Sequence, residues 1–592
     1  MKKYLLLFSL FYLSAVCQPL AFPEAEGFGK YASGGRGGKV VTVTNLLDYT
    51  DDNNPVIGSL RWALEQYKHT ETIEGNEVTF YEPLTVVFNV SGNIELLRDL
   101  KVRRSDLTIA GQSSQGGICI TGHSMLFNGA TGGEMWYWGP RRKNLIVRYL
   151  HFRPTPPGDD TYVTYGTDIE NYENVIFDHC TISWANEENL AIYDTKNTTV
   201  QWCMIYEGLY KAHHKKGNRS YCGVWGGQFA SYHHNLIAHH DSRNVRFNGV
   251  RNGDTLAIID YRNNVIYNWG SNNSAYGLEM KADYAPESRN ELNMVNNYYK
   301  RGPATATSNT IKYNNKAHRL VCIDQTVMKN ADGDTITGLF HNHYVNGNYV
   351  YDFPAVTSNN WYYGVQYKNY PYSTDSLLAN TTFRSFTPSP EVVAVWPDEL
   401  ESAEQSFESV LAGAGCTIPY RDWQDIRIVN EVRAGTASAG GTFGAMKGII
   451  DTPSVVLGYP EYHPLKYVDS DLDGMPDQWE IDNSLNAEDP TDGPIIQSDG
   501  YSNLERYLNG IEQNPTALKN TGFSSSVRVL RNTENGSVRI ESDKIIRSIN
   551  IYDVSGKKLG IFTSTEFILP QHNNLLLLID FDDNSQEIVK IL

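Results

Sequence analysis

The sequence predicts an all-β chain: a right-handed parallel β-helix, followed by a small calcium-loop segment and a C-terminal β-sandwich. Two features of the 592-residue sequence favour this fold class. Short β-like runs recur along most of the chain, without a helical pattern between them. Tyr occurs 38 times against 21 Phe, and the 49 Gly suit a β protein that is rich in loops.

A degenerate repeat is the main reason to expect a β-helix. Each run carries a Cys or Asn at the same place, and these markers are 23 to 33 residues apart. Such spacing is typical of successive coils, each about 4.8 Å further along the axis. A buried Asn at one bend of every coil can satisfy backbone groups of its neighbour. The markers are Cys180, Cys203, Asn235, Asn264 and Asn297, with further coils expected at 107–110, 145–152 and 344–350.

An ordinary β-sandwich with coincidental Asn positions is the alternative to the β-helix. The unequal intervals favour stacked coils, because loops of different lengths can then be built over one face, where binding sites usually lie. The coil region is expected to span residues 22–460. The chain length alone would suggest about four domains, but most of this length then belongs to a single β-helix.

Charge restricts the classes of partner. The chain has 50 Lys and Arg against 68 Asp and Glu, so its formal net charge is −18. This acidity argues against a protein that binds nucleic acid or anionic lipid. A polyanionic substrate remains compatible, since a local basic cleft can lie on an acidic body.

Residues 1–21 have the pattern of a secretory signal peptide. Lys2 and Lys3 precede an apolar run and then a region of small residues. The apolar run is too short for a transmembrane anchor, so we expect an exported protein without membrane insertion.

The cysteines that follow the signal peptide are scattered without close pairs. This pattern argues against a disulfide framework but allows one or two disulfides.

Residues 461–515 are predicted to bind calcium in the manner of an EF-hand or thrombospondin type 3 loop. Carboxylates occupy loop positions 1, 3, 5, 9 and 12, and Gly474 stands at position 6. Hard oxygens then surround the ion, while the glycine permits a sharp turn. The predicted ligands are Asp469, Asp471, Asp473, Asp477 and Glu480. A second acidic stretch at 489–505 could supply a partner site, and the alternative is a solvated acidic turn.

Residues 520–592 alternate apolar and polar residues between turns, which predicts a small antiparallel β-sandwich. The run Tyr-Asp-Val-Ser-Gly-Lys at 552–557 and the run Ile-Val-Lys-Ile at 588–591 resemble the C-terminal sorting domains of secreted Bacteroidetes proteins. That resemblance implies a Gram-negative bacterium, with the protein secreted, periplasmic or on the cell surface.

A series of motifs gives the coil region a family resemblance. They lie at residues 21–29, 34–38, 174–184, 223–227, 232–246, 427–433 and 448–451. The longest reads Tyr-His-His-Asn-Leu-Ile-Ala-His-His-Asp-Ser-Arg-Asn-Val-Arg. In this order the motifs resemble secreted pectate lyase-like proteins of polysaccharide lyase family 1, over about residues 22–460.

The resemblance implies a calcium-assisted β-elimination on homogalacturonan, the pectate backbone of pectin. A base removes the proton on C5 of a galacturonate unit, and the α-1,4-linked oxygen leaves. Cations at the uronate carboxylate assist, because charge must flow into a group that is already anionic. We expect calcium as cofactor, a pectin polysaccharide as partner, no nucleic acid, and a monomer.

The resemblance also assigns the cationic site residues. Arg243, eight residues after Asn235, corresponds to the family's base, although Val245 stands where the family usually has Pro. Arg246 is expected to bind the substrate carboxylate. Lys216 is expected to bind substrate, with Lys211 and Lys215 as rivals. The alternative for a single Arg is a surface salt bridge.

Asp168, Glu187 and Glu188 are the expected ligands of an active-site calcium. Residues about one coil apart lie side by side, so these carboxylates could converge on one ion. Glu188 matches a family ligand best, while Ile192 stands where the family has a further acidic ligand.

Two other functions compete with a pectate lyase. A pectin lyase acting on methyl-esterified galacturonan would need no calcium, and Asp168 with Glu188 argues against it. A non-catalytic β-helix that binds glycans, such as an adhesin, would not need the Arg-x-x-Arg segment at 243–246.

Overall fold

The computed structural model describes residues 18–128, 141–156, 158, 162–250, 255–270, 274–278, 288–324, 333–334, 340–368, 384–462, 467–513, 527–531, 537–542, 546–553, 558–562, 566–568, 575–581 and 586–591. Most of the predicted signal peptide, residues 1–17, lies outside the described residues. Among the helices described, none has both the length and the apolar character needed to cross a membrane.

Thirty strands are described between residues 39 and 368. They are β1 Lys39–Val43, β2 Lys68–Ile73, β3 Asn76–Tyr81, β4 Leu84–Phe88, β5 Gly92–Leu96, β6 Leu100–Val102, β7 Leu107–Ala110, β8 Ile118–Gly122, β9 Met125–Asn128, β10 Arg142–Arg148, β11 His151–Phe152, β12 Thr167–Glu170, β13 Tyr172–Asp178, β14 Thr181–Ser183, β15 Glu188–Tyr193, β16 Lys196–Gln201, β17 Met204–Tyr206, β18 Tyr221–Trp225, β19 Phe229–His233, β20 Leu236–Ala238, β21 Arg246–Phe247, β22 Leu256–Arg262, β23 Val265–Tyr267, β24 Ala275–Gly277, β25 Arg289–Val295, β26 Tyr298–Lys300, β27 Val321–Asp324, β28 Phe340–Asn346, β29 Tyr349–Val350 and β30 Val365–Lys368.

These strands form three parallel sheets, so the predicted parallel β-helix is confirmed. The first sheet has ten strands in the order β1-β4-β7-β10-β13-β16-β19-β22-β25-β28. The second runs β5-β8-β11-β14-β17-β20-β23-β26-β29, and the third runs β6-β9-β12-β15-β18-β21-β24-β27-β30. From β4 onward, each coil gives one strand to each sheet in turn. Of the thirty described strands, only β2 and β3 stand apart, as an antiparallel hairpin.

The predicted asparagine markers form a buried column that joins the coils. The Asn235 backbone N–H donates to Asn264 Oδ1 at 3.0 Å, and the Asn264 N–H donates to Asn297 Oδ1 at 2.9 Å. Each side-chain amide also donates to a backbone carbonyl of the preceding coil. The column continues beyond the predicted markers to Asn348 and Asn360.

Two thiols extend this column toward the N-terminus. The Cys203 N–H donates to Asn235 Oδ1 at 2.9 Å, and the Cys180 N–H donates to Cys203 Sγ at 3.4 Å. The six cysteines in the described ranges are all free and buried. They therefore serve as small apolar or weakly hydrogen-bonding groups.

Side chains alternate between the inside of the coil and its outer surface. In β17, Ile205 lies in the central core, while Met204 and Tyr206 face outward and pack with a separate cluster. This alternation is the normal consequence of strand geometry. It leaves apolar outward faces that other parts of the chain must cover.

Helices cover those faces. The described helices are α1 Leu60–Leu64, α2 Pro354–Ser358, α3 Pro390–Val393, α4 Ala403–Gly413, α5 Trp423–Ala434, α6 Asp477–Asp482 and α7 Asn503–Gln513. Val410 of α4 and Ile428 of α5 pack on the outward residues of the second sheet. Ser402 begins α4 with a capping box, and Gly435 ends α5 at φ +74°. The sequence pattern did not lead us to expect these two helices.

The segment 467–513 packs against the outside of the first sheet. Met475, Tyr507 and Ile511 contact a patch that contains Val87 and Tyr149. The predicted calcium-loop segment is thus in direct contact with the β-helix.

The C-terminal part contains two antiparallel sheets. The described strands are β31 Val527–Arg531, β32 Ser537–Ser542, β33 Ile546–Asp553, β34 Lys558–Phe562, β35 Glu566–Ile568, β36 Leu575–Phe581 and β37 Gln586–Ile591. They pair as β31-β32-β35 and β34-β33-β36-β37. The antiparallel strands expected for the C-terminal region are therefore present.

The asparagine column predicts a large stability effect from one amide. Replacing Asn264 with Ala leaves at least two buried backbone groups unpaired, because its amide bonds to both neighbouring coils. We expect the free energy of unfolding to fall by about 3 kcal/mol. Urea denaturation followed by tryptophan fluorescence measures this change.

Asn309→Ala is the matched control, because Asn309 is exposed and accepts one hydrogen bond from Arg301. Its unfolding free energy should change by less than about 0.5 kcal/mol. Equal effects of the two substitutions would contradict a structural role for the column.

Candidate active site

The third sheet places the predicted site residues on one outer face of the β-helix. Parallel pairing stacks Asp168 beside Ala191, Ala191 beside Val224, and Val224 beside Arg246. With about 4.8 Å between strands, Asp168 and Arg246 lie about 14 Å apart along the axis. Tyr276 follows Arg246 in the same column. The predicted calcium ligand and the predicted substrate residue therefore share one face.

Arg243 lies between β20 and β21, in the left-handed backbone region at φ +57°. Its guanidinium forms an ion pair with the Glu188 carboxylate and lies 4.3 Å from the Tyr221 ring centroid. Tyr221 is the strand neighbour of Glu188, so the three side chains meet on adjacent coils. Arg243, the predicted base, thus contacts Glu188, a predicted calcium ligand.

Burial lowers the pKa of the Arg243 guanidinium, because a low-dielectric environment disfavours its charged form. The hydroxyl of Tyr276 and the carboxylate of Glu187 act in the opposite direction. Arg246 adds to the lowering of this pKa through like-charge repulsion. The position is therefore one where an arginine loses its proton more easily than in water.

Glu187 is held by two side chains from the neighbouring coil. Its carboxylate forms an ion pair with Arg219, contacts the His214 ring and is almost fully buried. Burial lowers the pKa of His214, while Glu187 opposes this effect. Glu187 is thus a member of a compact charged cluster beside Glu188.

Asp168 is the predicted ligand with an available oxygen. It is 8% exposed, and its Oδ1 atom has no hydrogen-bond partner. Burial, together with the nearby Glu170 carboxylate, holds the pKa of Asp168 well above its usual value. A bare buried carboxylate oxygen of this kind suits a hard cation.

The structure does not bring Asp168, Glu187 and Glu188 together as one set of ligands. Some described residues form groups whose ligand atoms all lie within 4.8 Å of one another. None of these groups includes Asp168, Glu187 or Glu188. The reason is electrostatic, because Glu187 forms an ion pair with Arg219 and Glu188 forms one with Arg243. The three-carboxylate site therefore stays a prediction.

The basic loop after β17 borders the same face. Lys216 is exposed, and its backbone N–H donates to His214 Nδ1 at 3.0 Å. Its rival Lys215 lines a cavity of about 260 Å³ together with Tyr162 and Tyr165. Aromatic rings beside an ammonium group are suited to binding a charged sugar.

Comparison with known proteins decides the family. No protein-family model matches the chain. A probable pectate lyase C of Aspergillus fumigatus is 28% identical over 503 residues, which cover 84% of this chain and 95% of the fungal protein. A probable pectate lyase C of Aspergillus flavus is 30% identical over 349 residues, which cover 57% of this chain and 69% of the fungal protein.

The chain belongs to the pectate lyase family.

Solved pectate lyase structures also align with this member of the family. The pectate lyase of Bacillus sp. N165, in complex with trigalacturonate, is 15% identical with a TM-score of 0.34, over 66% of this chain and 98% of that one. The thermostable pectate lyase PL 47 is 12% identical with a TM-score of 0.37, over 66% and 96%. The β-helix itself is shown by the strand register of this chain.

Arg219 and Tyr221 are site residues that the sequence analysis of this pectate lyase family member missed. Arg219 forms an ion pair with Glu187. The Tyr221 ring contacts Arg219 and Arg243, and its centroid lies 4.3 Å from each guanidinium. Tyr221 could have been found from its position in the repeat, because it begins β18 as Glu188 begins β15. An alignment of the first residues of these two strands places Tyr221 beside Glu188.

Four of the five carboxylates predicted for the EF-hand-like loop lie in acidic groups. Asp469, Asp471 and Asp473 form one acidic group, and Glu480 joins Asp473 in a second. Asp477 belongs to neither, because its two carboxylate oxygens accept hydrogen bonds from the backbone N–H and the hydroxyl of Ser470, both at 2.7 Å. Asp477 therefore stabilises the loop from outside the acidic groups.

A buried histidine beneath the site gives a prediction about pH. His240 is fully buried, and burial lowers its pKa to about 3. Below about pH 6.5 the unfolded chain binds a proton at this residue, while the folded chain does not until about pH 3. Stability should therefore fall as the pH decreases, by about 2 kcal/mol between pH 6.5 and 5 from this residue alone.

His240→Gln should remove this part of the pH dependence. Urea unfolding at several pH values should show a slope between pH 6.5 and 5 that is smaller by about one proton. His69→Gln is the control, since His69 is exposed and its substitution should leave the slope unchanged. An unchanged slope in His240→Gln would show that burial does not lower the pKa of this imidazole.

Proposed function

We propose that this chain cleaves the α-1,4 links of polygalacturonate by calcium-assisted β-elimination, with Arg243 as the base. The observation that carries the proposal is the position of Arg243. It lies just before the third-sheet strand β21 of a pectate lyase family member, buried enough to lower its pKa and close to a second arginine. Lysine and arginine residues border the same face.

The reaction needs a base more than a nucleophile. Removal of the C5 proton leaves an electron pair that forms the C4–C5 double bond, while the C4–O4 bond breaks. The departing oxygen takes a proton from solvent. Since the developing charge spreads into the uronate carboxylate, cationic groups that face this carboxylate lower the barrier.

Arg243 must lose its own proton before it can accept the C5 proton. A guanidinium in water does not do so readily. Burial and the charge of Arg246 favour the neutral form here, whereas the ion pair with Glu188 favours the charged form. A cation held by Glu188 would weaken this ion pair and so favour neutral Arg243.

We propose that Asp168 and Glu188, with Glu187 beside them, hold a calcium ion at this site. The unpartnered buried Oδ1 of Asp168 fits a hard cation, and so does an all-carboxylate set of donors. Calcium bound there would supply positive charge to the uronate carboxylate. Ile192, with its apolar side chain, contributes no ligand to this site.

Arg246 and Lys216 are proposed to bind the substrate. Arg246 is half-buried in the column of the third sheet, where its guanidinium can bind a carboxylate through two hydrogen bonds. Lys216 is exposed at the edge of the same face. The homogalacturonan chain would then lie along the third sheet, with its carboxylates toward these cations.

We also propose that the enzyme is exported as a monomer by a Gram-negative bacterium of the Bacteroidetes type. The signal-peptide pattern at 1–21 supports export. The antiparallel strands of the C-terminal region support a sorting domain.

Arg243→Lys tests the base. A lysine ammonium is shorter and lacks the planar fork that contacts both Glu188 and Tyr221. We expect kcat on polygalacturonate with calcium to fall by at least about 100-fold. The assay follows the ultraviolet absorbance of the unsaturated product.

Arg433→Lys is the matched control, because Arg433 is exposed on α5 and pairs with Glu408. It should keep full activity. Full activity in Arg243→Lys would move the base to another residue. Product from methyl-esterified pectin, with none from polygalacturonate, would favour the pectin lyase alternative.

The lysine that binds substrate can be identified by alanine substitution. If Lys216 contacts the uronate carboxylate, Lys216→Ala should raise KM about tenfold with little change in kcat. Lys215→Ala, at the cavity beside Tyr162, tests its rival. Lys143→Ala, on the first sheet, is the control and should leave KM unchanged. A larger effect at Lys215 than at Lys216 would transfer the substrate-binding role to Lys215.

A further inference from the structure

Five carboxylates in the segment 467–513 converge on one place, far along the chain from the active-site residues. Asp469, Asp471 and Asp473 have ligand atoms within 4.8 Å of one another, and so do Asp473, Glu480 and Asp492. Asp473 belongs to both groups and joins them. Asp492 comes from outside the EF-hand-like loop.

Each of these side chains has an oxygen with no hydrogen-bond partner. The bare atoms are Asp469 Oδ1, Asp471 Oδ2, Asp473 Oδ2, both Glu480 Oε atoms and Asp492 Oδ1. Four of the five residues are more than nine-tenths buried, with exposures of 6%, 1%, 0% and 8% for Asp469, Asp473, Glu480 and Asp492. Buried carboxylate oxygens without a donor or a counter-charge are costly, and a bound cation would offset this cost.

The remaining oxygens already shape the loop. Asp469 Oδ2 accepts from the Gly474 N–H at 3.1 Å, and Asp473 Oδ1 accepts from the Met475 N–H at 2.9 Å. Asp492 Oδ2 accepts from the Asn486 N–H at 3.0 Å. In these three carboxylates, one oxygen therefore fixes the backbone, while the other is left for a ligand. This division of roles is built into the fold.

The five carboxylates also lack a counter-charge. No Lys or Arg forms an ion pair with any of the five among the described residues. The group therefore differs from the His151, Asp422 and Asp425 cluster, whose carboxylates are neutralised by Arg153.

We propose that Asp469, Asp471, Asp473, Glu480 and Asp492 bind one calcium ion, with Asp492 as a ligand in place of Asp477. The six bare oxygens match the six to eight that calcium takes, and both oxygens of Glu480 are free to bind as a pair. Magnesium fits less well, since it keeps several waters and requires a strict octahedron. This proposal is independent of the catalytic role proposed for Arg243.

The ion would clamp this segment onto the β-helix. Its ligands lie on the loop before α6, on α6 itself and on the stretch before α7. Met475 and Tyr507 of the same segment pack on the patch around Val87. The Leu472 carbonyl accepts a hydrogen bond from Thr42 of β1 at 2.5 Å, and Glu505 of α7 pairs with Arg36 at 2.8 Å. Loss of the ion should therefore loosen the contact with the first sheet.

Calorimetric titration of the full chain with calcium chloride, after removal of metal with a chelator, tests the proposal. The background is Asp168→Asn with Glu188→Gln, so that calcium binding at the active site does not contribute. We expect one binding event in this background. Asp492→Asn should weaken it at least about tenfold, because a charged ligand is lost.

Asp477→Asn is the matched control and should keep the affinity within about threefold, since its carboxylate bonds to Ser470 and belongs to neither acidic group. Equal losses in Asp477→Asn and Asp492→Asn, or no loss in Asp492→Asn, would overturn the assignment. Asp471→Asn, at a less buried ligand, provides a second test if Asp492→Asn folds poorly. Magnesium binding as tight as calcium binding would also overturn it.

The clamp has its own readout in limited proteolysis. Calcium should slow tryptic cleavage within residues 467–513 of the wild-type chain by about tenfold or more, and Asp492→Asn should lose this protection. Equal cleavage with and without calcium would show that the ion does not hold the segment. Because polygalacturonate cleavage is not measured, failure here is distinguishable from failure of the proposed lyase activity.

Discussion

The buried asparagine column is the constraint on which the rest of the structure depends. In a parallel coil, the chain must turn a corner between strands, and the backbone groups at that corner point away from any sheet. Asn235, Asn264 and Asn297 satisfy them from within the neighbouring coil. Their burial makes the hydrogen bonds obligatory, since no water can replace them. The position of each coil is thereby fixed to that of the next.

That fixed register is what assembles the site. Arg243, Glu188 and Tyr221 come from three successive coils, yet they contact each other because each coil repeats the position of the last. Small displacements of one coil would separate the arginine from the carboxylate. The geometry of the candidate site thus depends on hydrogen bonds that lie on another side of the β-helix. That geometry and the stability of the fold have a common origin here.

The repeat and the column were predictable because each depends on residues at regular intervals in the sequence. The helices α4 and α5 were not, since they pack on outward residues of the second sheet that become visible only in the folded coil. The arginines and the calcium ligands of the candidate active site were predicted from the family resemblance. The ion pair of Glu188 with Arg243 was not predictable, because it depends on side-chain positions that sequence spacing does not determine. Asp477 likewise fits the EF-hand spacing, but Ser470 engages it, while Asp492 arrives from a separate turn.

The antiparallel hairpin of β2 and β3 shows how freely this architecture accepts additional chain. It lies between β1 and β4, yet Lys39 still pairs directly with Leu84. An inserted loop leaves the coil only at a corner and returns to the same place, so its main cost is closure entropy, which grows slowly with length. Loops could therefore be inserted or exchanged at the corners to reshape the face of the third sheet, while the strand pairing and the asparagine column stay in place. The hydrogen-bonded coils thus keep their geometry, and the loops between them can change.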